Sequence, residues 1–168
     1  MTRRIVIIAV LVGAALAAAV PLYRYFFPDD ETRIIRALEG AADAVSCAAG
    51  ESAPAAIGKL RQLEALLDDQ VEFDLRANRE THGRVFGRGE IVGIVAGERR
   101  AGALLKVELT DFTVTVEGDS AKAEAAAAIR YQRGDREFSM QEELKFSLVR
   151  RDKKWRIAQV VIRNFMEK

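Results

Sequence analysis

The chain has one cysteine, one histidine and three prolines among its 168 residues. Because Cys47 has no second cysteine to pair with, the sequence excludes an intramolecular disulfide and a metal cluster built from thiolates. We expect Cys47 to be a small buried residue on a helix. His82 lies in the polar stretch ANRETHG and is expected at the surface. The sequence therefore predicts neither a metal site nor a cofactor.

Acidic residues are absent from the first 28 positions, whereas Arg3, Arg4 and Arg24 all lie there. The segment after Pro28 then holds 23 basic and 25 acidic residues, a net charge of −2. Nucleic-acid-binding domains typically present a strongly basic face. The nearly balanced charge therefore argues against a nucleic acid as partner.

Residues 5–23, IVIIAVLVGAALAAAVPLY, contain no charged residue. A helix rising ~1.5 Å per residue over this run nearly spans a hydrocarbon layer about 30 Å thick. Arg3 and Arg4 before the run and the aromatic stretch YRYFF at its end are typical of the two sides of a membrane span. We therefore predict a transmembrane signal-anchor over residues 1–28 in the inner membrane. Its amino terminus is expected in the cytoplasm and residues 29–168 on the periplasmic side.

A cleaved signal peptide is the competing interpretation, because Ala17 and Ala19 form an A-x-A cleavage pattern. Cleavage there would leave the aromatic stretch as an exposed apolar terminus, which favours the uncleaved anchor. Under both interpretations the domain is exported. Its expected partners are then the membrane and an envelope protein.

Helical periodicity begins directly after Pro28. Asp29 or Asp30 can cap a first helix and Gly50 can end the region. Ser52 can cap a second helix, and a weaker third one is expected over Glu90–Arg99. The predicted buried stripes of the first two helices are Ile34, Leu38, Ala41 and Val45, then Ile57, Leu60, Leu63 and Leu67.

Alternating strands follow the second helix, the first over Val71–Arg76. In KVELTDFTVTVEG the apolar parity changes from Val107 and Leu109 to Phe112 and the valines after it. One extra residue near Thr110–Asp111 restores a single apolar face, which predicts a β-bulge and a curved sheet.

The segment SAKAEAAAAIRYQRG has the composition of a helix but the pattern of a strand. Turn signals flank it on both sides, and small residues alternate with mostly polar ones, so we predict a strand. Its alanines leave space above the sheet. Either large side chains such as Phe146 and Trp155 fill that space, or it is the floor of a pocket.

Two long alternating runs between Glu137 and Met166 are joined by a short charged turn and predict an antiparallel hairpin. The residues that share its apolar face are Phe138, Met140, Leu144, Phe146 and Leu148 on the first run, and Trp155, Ile157, Val161 and Phe165 on the second.

These elements resemble the nuclear transport factor 2-like superfamily, which includes the SnoaL-like polyketide cyclases. The resemblance covers about residues 31–166. It rests on LEALLDDQVEFDL, GRGEIVGIVAGE, VELTDFTVTVEGDSAKAEAAAAIRY and EELKFSLVRRDKKWRIAQVVIRNF. It implies an α+β fold in which about three helices pack on a strongly curved mixed or antiparallel sheet, a cone-shaped half barrel. It also implies a homodimer through the sheet.

In that superfamily the ligand cavity lies between the concave sheet and the helices. Polar residues that the parity places on the inner face are candidates for it, and they are Glu142, Gln159, Arg163, Tyr131 and, at the bulge, Asp111. A structural ion pair between Glu142 and Arg163 is the simpler interpretation of that pair. No catalytic residue is assigned, because the sequence lacks the tyrosine–aspartate and aspartate–arginine–aspartate sets of isomerases and epoxide hydrolases with this fold.

Three classes of function fit these observations. The first is a non-catalytic, membrane-anchored binding or assembly module, which we favour. The second is a binder of a small apolar ligand or lipid in the cone. The third is a hydratase, isomerase or cyclase that uses Glu142 or Asp111 as a general base.

Overall fold

Three helices cover one face of a six-stranded sheet in the computed structural model, which describes residues 29–75 and 84–163. The side chains of Leu75 and Arg163 are outside this description. The helices are α1 (Asp30–Val45), α2 (Ala53–Leu66) and α3 (Arg88–Arg100). The strands are β1 (Leu67–Leu75), β2 (Arg84–Gly87), β3 (Leu104–Glu117), β4 (Ser120–Arg133), β5 (Arg136–Arg151) and β6 (Lys154–Arg163).

The strand order in the sheet is β2-β1-β6-β5-β4-β3. β1 runs parallel to β6, and the other neighbouring pairs are antiparallel. The predicted α+β class, the three helices and the mixed sheet are thus confirmed. No helix in the described part of the chain is long and apolar enough to cross a membrane. The predicted anchor, residues 1–28, lies outside the described residues.

Helix α1 begins where its sequence predicts. The Thr32 amide donates to Asp29 Oδ1 at 2.9 Å, which satisfies one of the free amides of the first turn. Ile34 and Leu38 are fully buried, and Ala41 and Val45 pack against the same core. The predicted stripe of this helix is confirmed.

Helix α2 departs from its prediction at both ends of the proposed stripe. Leu63 is buried, but Ile57 is 51% exposed. Leu67 already belongs to β1, because it pairs with Ile157 of β6 instead of continuing the helix. The helix therefore ends one residue earlier than the apolar spacing indicates.

The bulge predicted in β3 is present. Thr110 is opposite Ala126 and Thr113 is opposite Glu124, so Asp111 and Phe112 together face one residue of β4. Asp111 has a φ of 55°, in the left-handed region. The bulge lets Leu109 before it and Phe112, Val114 and Val116 after it pack on the same core.

The alanine-rich segment is strand β4, as its flanking turns predict. Ala121, Ala123, Ala125 and Ala127 are at most 4% exposed and belong to the core cluster that also holds Phe146 and Trp155. The register places Ala123 opposite Phe146. Large side chains from β5 and β6 therefore occupy the space that the alanines leave.

A second bulge, in β6, was not predicted and corrects the assignment of its faces. Ser147 is opposite Gln159 while Leu148 is opposite Ile157, so Ala158 is the extra residue. Trp155 and Ile157 before the bulge and Val160 after it lie in the core. A one-residue shift exchanges the two faces of a strand. Val161 and Gln159 therefore lie on the outer face, opposite to the prediction.

Candidate ligand cavity and its surroundings

An apolar cavity of about 160 Å³ lies between the helices and the concave face of the sheet. The fourteen described residues that line it are all apolar. They come from the three helices and from β1, β3, β5 and β6. Representative lining residues are Leu38, Ala42, Leu63, Leu109, Leu144 and Phe146. The cavity lies where the superfamily resemblance predicts one.

The chemistry of this cavity is limited by its lining. Among the described lining residues there is no acid, base or nucleophile that could take part in proton transfer or covalent catalysis. A dry cavity of roughly 150 Å³ lined by aliphatic and aromatic groups can hold a molecule the size of benzene. The described lining therefore offers apolar contacts for a small apolar group.

Glu142 lies on the inner face of the sheet but is not among the residues that line this cavity. It is directly opposite Ala127 on β4 and has the same parity as the buried Leu144. Its Oε2 atom is buried and has no hydrogen-bond partner in the described part of the chain. The predicted inward position of Glu142 thus agrees with the register.

The predicted pair of Glu142 with Arg163 does not follow from the register. Arg163 is opposite Glu143, one residue further along β5, because the bulge at Ala158 shifts the end of β6. Residues directly opposite each other on neighbouring strands share a face. The ion pair of Glu142 with Arg163 stays a prediction, because the Arg163 side chain lies outside the described residues.

Asp111 lies at the bulge of β3 and is exposed. Thr110 Oγ1 donates to its Oδ2 at 3.3 Å. Asp111 and Glu142 both border a depression of about 360 Å³, together with Thr110, Gln141 and three alanines of β4. The bulge thus brings the two acidic residues to one depression, which the sequence did not indicate.

Tyr131 has the predicted inward parity but is not among the residues that line the apolar cavity. Its hydroxyl donates to Glu98 Oε2 at 2.9 Å, and Arg133 Nη1 donates to Glu98 Oε1 at 3.3 Å. Its ring stacks on Phe138 with 5.0 Å between centroids. Tyr131 therefore connects the end of the β4–β5 hairpin to α3.

Gln159 belongs to a polar ladder on the outer face of the sheet. Ser147 Oγ donates to Gln159 Oε1 at 3.0 Å, and Gln159 Nε2 donates to Glu72 Oε2, also at 3.0 Å. Both the oxygen and the nitrogen of the Gln159 side-chain amide therefore have a hydrogen-bond partner. Gln159 is consequently not a cavity residue, which corrects the prediction.

A buried arginine, which was not predicted, lies beside a cleft of about 540 Å³ near the carboxyl end of α1. The Arg99 side chain is only 7% exposed and forms an ion pair with Glu51. Its Nη2 donates to the carbonyl oxygens of Ala44 at 2.6 Å and Ser46 at 2.9 Å. These contacts satisfy carbonyls at the end of a helix, so Arg99 is structural.

Cys47 lines the same cleft and is buried, as expected. It lies after the end of α1, not within a helix, and its backbone forms a bridge with Leu105. Its thiol donates to the carbonyl oxygen of Ala103 at 3.0 Å. His82 lies outside the described residues. Within residues 29–75 and 84–163 no group of three potential ligands could hold a metal ion.

The model of one protein family matches residues 58–161, more than half of the chain, and its description is "SnoaL-like domain". The chain belongs to the SnoaL-like family. No curated protein matches this SnoaL-like chain at a significant level. The predicted superfamily is thereby confirmed.

Solved structures agree with the SnoaL-like fold. A protein from Novosphingobium aromaticivorans, provisionally described as an aromatic ring hydroxylase, superposes with a TM-score of 0.65 at 20% identity, over 82% of this chain and 90% of that one. A nuclear transport factor 2-like protein with a cystatin-like fold from the same organism has a TM-score of 0.57 at 19% identity, over 88% and 86%. A protein from Streptomyces avermitilis, provisionally described as a dehydratase, superposes with a TM-score of 0.61 at 16% identity. The match covers 82% of this chain and 97% of that one. Identities this low support the fold alone.

Proposed function

We propose that this SnoaL-like domain is a non-catalytic binding module that takes a small apolar molecule between its helices and its sheet. The observation that carries the proposal is the cavity of about 160 Å³, whose described lining residues are all apolar. Burial of apolar surface contributes roughly 25 cal/mol per Å² and supplies the driving force for such binding. One structural neighbour is provisionally described as a dehydratase, but the described residues of this lining include no acid or base.

We also propose that the domain is held at the membrane by residues 5–23 and lies on the periplasmic side. The uncharged run and the arginines before it support this placement. A binding module beside a bilayer is close to a store of small apolar molecules. A homodimer through the sheet and an envelope protein partner remain predictions.

Methyl NMR of the full chain in detergent micelles tests the binding proposal, with toluene as the probe. We expect the methyl signals of Leu38, Leu109 and Leu144 to shift with saturation, because these side chains line the cavity. Methyl groups away from the cavity should keep their positions. Proportional shifts across all methyl groups would contradict the proposal, since they would report only partitioning of toluene into the micelle.

Ala42→Leu is the matched blocking variant. Ala42 lines the cavity and is 7% exposed, so a larger side chain there should fill the space and abolish the saturable shifts. Ala37→Leu is the control, because it makes the same change on the same helix at a position that does not line the cavity. Equal toluene binding by the two folded variants would overturn the proposal.

A further inference from the structure

A stripe of glycines runs along the outer side of α3. Its members recur every four residues and therefore lie above one another on the helix surface. They are Gly89, Gly93 and Gly97. The apolar residues of α3 that pack on the core, Ile91, Val92 and Val95, project from the opposite side of the helix. The glycine stripe therefore faces away from the sheet.

The described part of the chain gives no packing reason for these glycines. A Cβ atom at any of the three positions would meet no atom of the described residues within 4 Å. Gly40 of α1 is different, because a Cβ atom there would lie 3.0 Å from Nε2 of Gln62, on the neighbouring helix. Glycine is less favourable in a helix than any other residue except proline. A row of small residues along a helix lets a second helix backbone approach closely.

The residues around the glycine stripe complete an unpartnered helix face. Ile94 lies beside the stripe and is 52% exposed. Glu90 lies in the first turn, exposed, with Arg84 Nη2 at 3.9 Å from its Oε1. Arg100 lies in the last turn, also exposed, and its Nε donates to the Ala96 carbonyl of its own helix at 3.3 Å. The face thus has small residues at its centre, an apolar side chain beside them and opposite charges at its two ends.

We propose that this face of α3 packs against α3 of a second copy of the chain, with the two helices antiparallel. A two-fold axis midway between Gly93 and Gly97 places each of these glycines against the other one in the second copy. The same axis places Glu90 against Arg100 of the second copy, because the two residues are equally far from its centre. The proposal depends on neither the cavity nor the membrane anchor. It also differs from the predicted homodimer through the sheet, because α3 belongs to the helical layer.

The charges of this face favour a second copy in the antiparallel direction. A parallel pair would place Glu90 against Glu90 and Arg100 against Arg100, and such like-charge contacts are unfavourable. Close approach of the two backbones and burial of Ile94 supply the attraction. Exposed ion pairs add little free energy, so the two pairs of Glu90 with Arg100 set the direction and register of the helices.

Sedimentation equilibrium of the full chain in a density-matched detergent tests the interface. We expect the wild type to dimerise, and Gly93→Leu to raise the dissociation constant at least about tenfold because leucine holds the two backbones apart. Gly58→Leu is the matched control, since it makes the same change in α2, where a Cβ atom also meets no described atom within 4 Å. It should dimerise like the wild type. A monomeric wild type, or equal dimerisation by the two variants, would refute the proposal.

Circular dichroism separates loss of the interface from loss of the fold. Leucine favours a helix more than glycine does, and the space at Gly93 is open to a side chain. The helical signal of Gly93→Leu should therefore be at least equal to that of the wild type while its dimerisation is weaker.

Reversal of the end charges tests the direction of the helices and leaves the glycine stripe intact. Glu90→Arg and Arg100→Glu each place like charges against each other in the antiparallel pair, so either change alone should weaken dimerisation. The double variant with both changes restores opposite charges across the interface and should dimerise about as tightly as the wild type. Single variants as tight as the wild type, or a double variant no tighter than the single ones, would rule out the antiparallel pair.

Discussion

Trp155 Nε1 donates a hydrogen bond to Asp30 Oδ1 at 3.2 Å, joining the last hairpin to the first turn of α1 across 125 positions of sequence. The Arg150 guanidinium lies 4.6 Å from the centre of the Trp155 ring and also contacts Asp30, at 3.1 Å. The single tryptophan is 5% exposed. These contacts hold the first turn of α1 against the last hairpin of the sheet.

Truncation of Trp155 should strongly destabilise the domain. We expect Trp155→Ala to lower the free energy of unfolding by about 3–5 kcal/mol, as for other large-to-small changes in a core. Trp155→Phe keeps most of the packing and loses the hydrogen bond to Asp30, so it should cost about 1 kcal/mol from that bond and somewhat more from the smaller ring. Urea unfolding measures both values. A red-shifted, readily quenched emission from the native protein would contradict burial of this residue.

Arg99 offers a second test of stability. Its ion pair with Glu51 and its bonds to the carbonyls of Ala44 and Ser46 are mostly shielded from water. Removal of one partner from a buried pair costs about 3–5 kcal/mol, so Arg99→Ala should lower the urea midpoint sharply. Arg100→Ala, at the exposed neighbouring position, should stay within about 0.5 kcal/mol of the wild type. Equal losses in the two variants would mean that the buried contacts are not the cause.

At the bulge residue Asp111, we expect the backbone conformation to determine how substitutions change stability. Because its φ is 55°, Asp111→Gly should be neutral or slightly stabilising. Asp111→Val should cost at least about 1–2 kcal/mol, because a β-branched residue is strained in the left-handed region. Thermal unfolding of the two variants gives the comparison. A valine variant as stable as the glycine variant would be inconsistent with the bulge geometry.

The orientation of the predicted anchor can be measured directly. An alkaline phosphatase fused after Lys168 should be active, because Arg3 and Arg4 favour a cytoplasmic amino terminus and an exported domain. Green fluorescent protein at the same position should be dark if it is exported unfolded. The opposite result for the two reporters would end the prediction of an exported domain.

The bulge in β3 could be predicted from the sequence and the bulge in β6 could not. In β3, polar Thr110 and Asp111 separate two apolar sets of opposite parity, so the shift is visible as a change of pattern. In β6, the run Val160–Ile162 is apolar at every position and satisfies both parities. The alternation of residues in β6 therefore does not indicate the register shift at Ala158.

The site was less predictable than the fold for the same reason. The inner-face position of Glu142 follows from strand alternation on β5, which has no bulge before that residue. Assignments on β6 depended on the register, so Gln159 was placed on the wrong face, and the register puts Arg163 opposite Glu143. The cavity itself depends on the distance between helices and sheet, which residue patterns do not specify.

The parallel pairing of β1 with β6 has a consequence for synthesis on the ribosome. Glu72 of β1 pairs with Gln159 of β6, and β6, which lies between β1 and β5, is translated after the other five strands. β1 and β2 can form their hairpin early, but they cannot join the remaining sheet until the carboxyl-terminal strand has left the exit tunnel. Contacts so distant in sequence slow folding, because the intervening chain must be ordered first. The nascent chain therefore carries an incomplete sheet until β6 has been synthesised, and a chaperone that shields this edge would act during that interval.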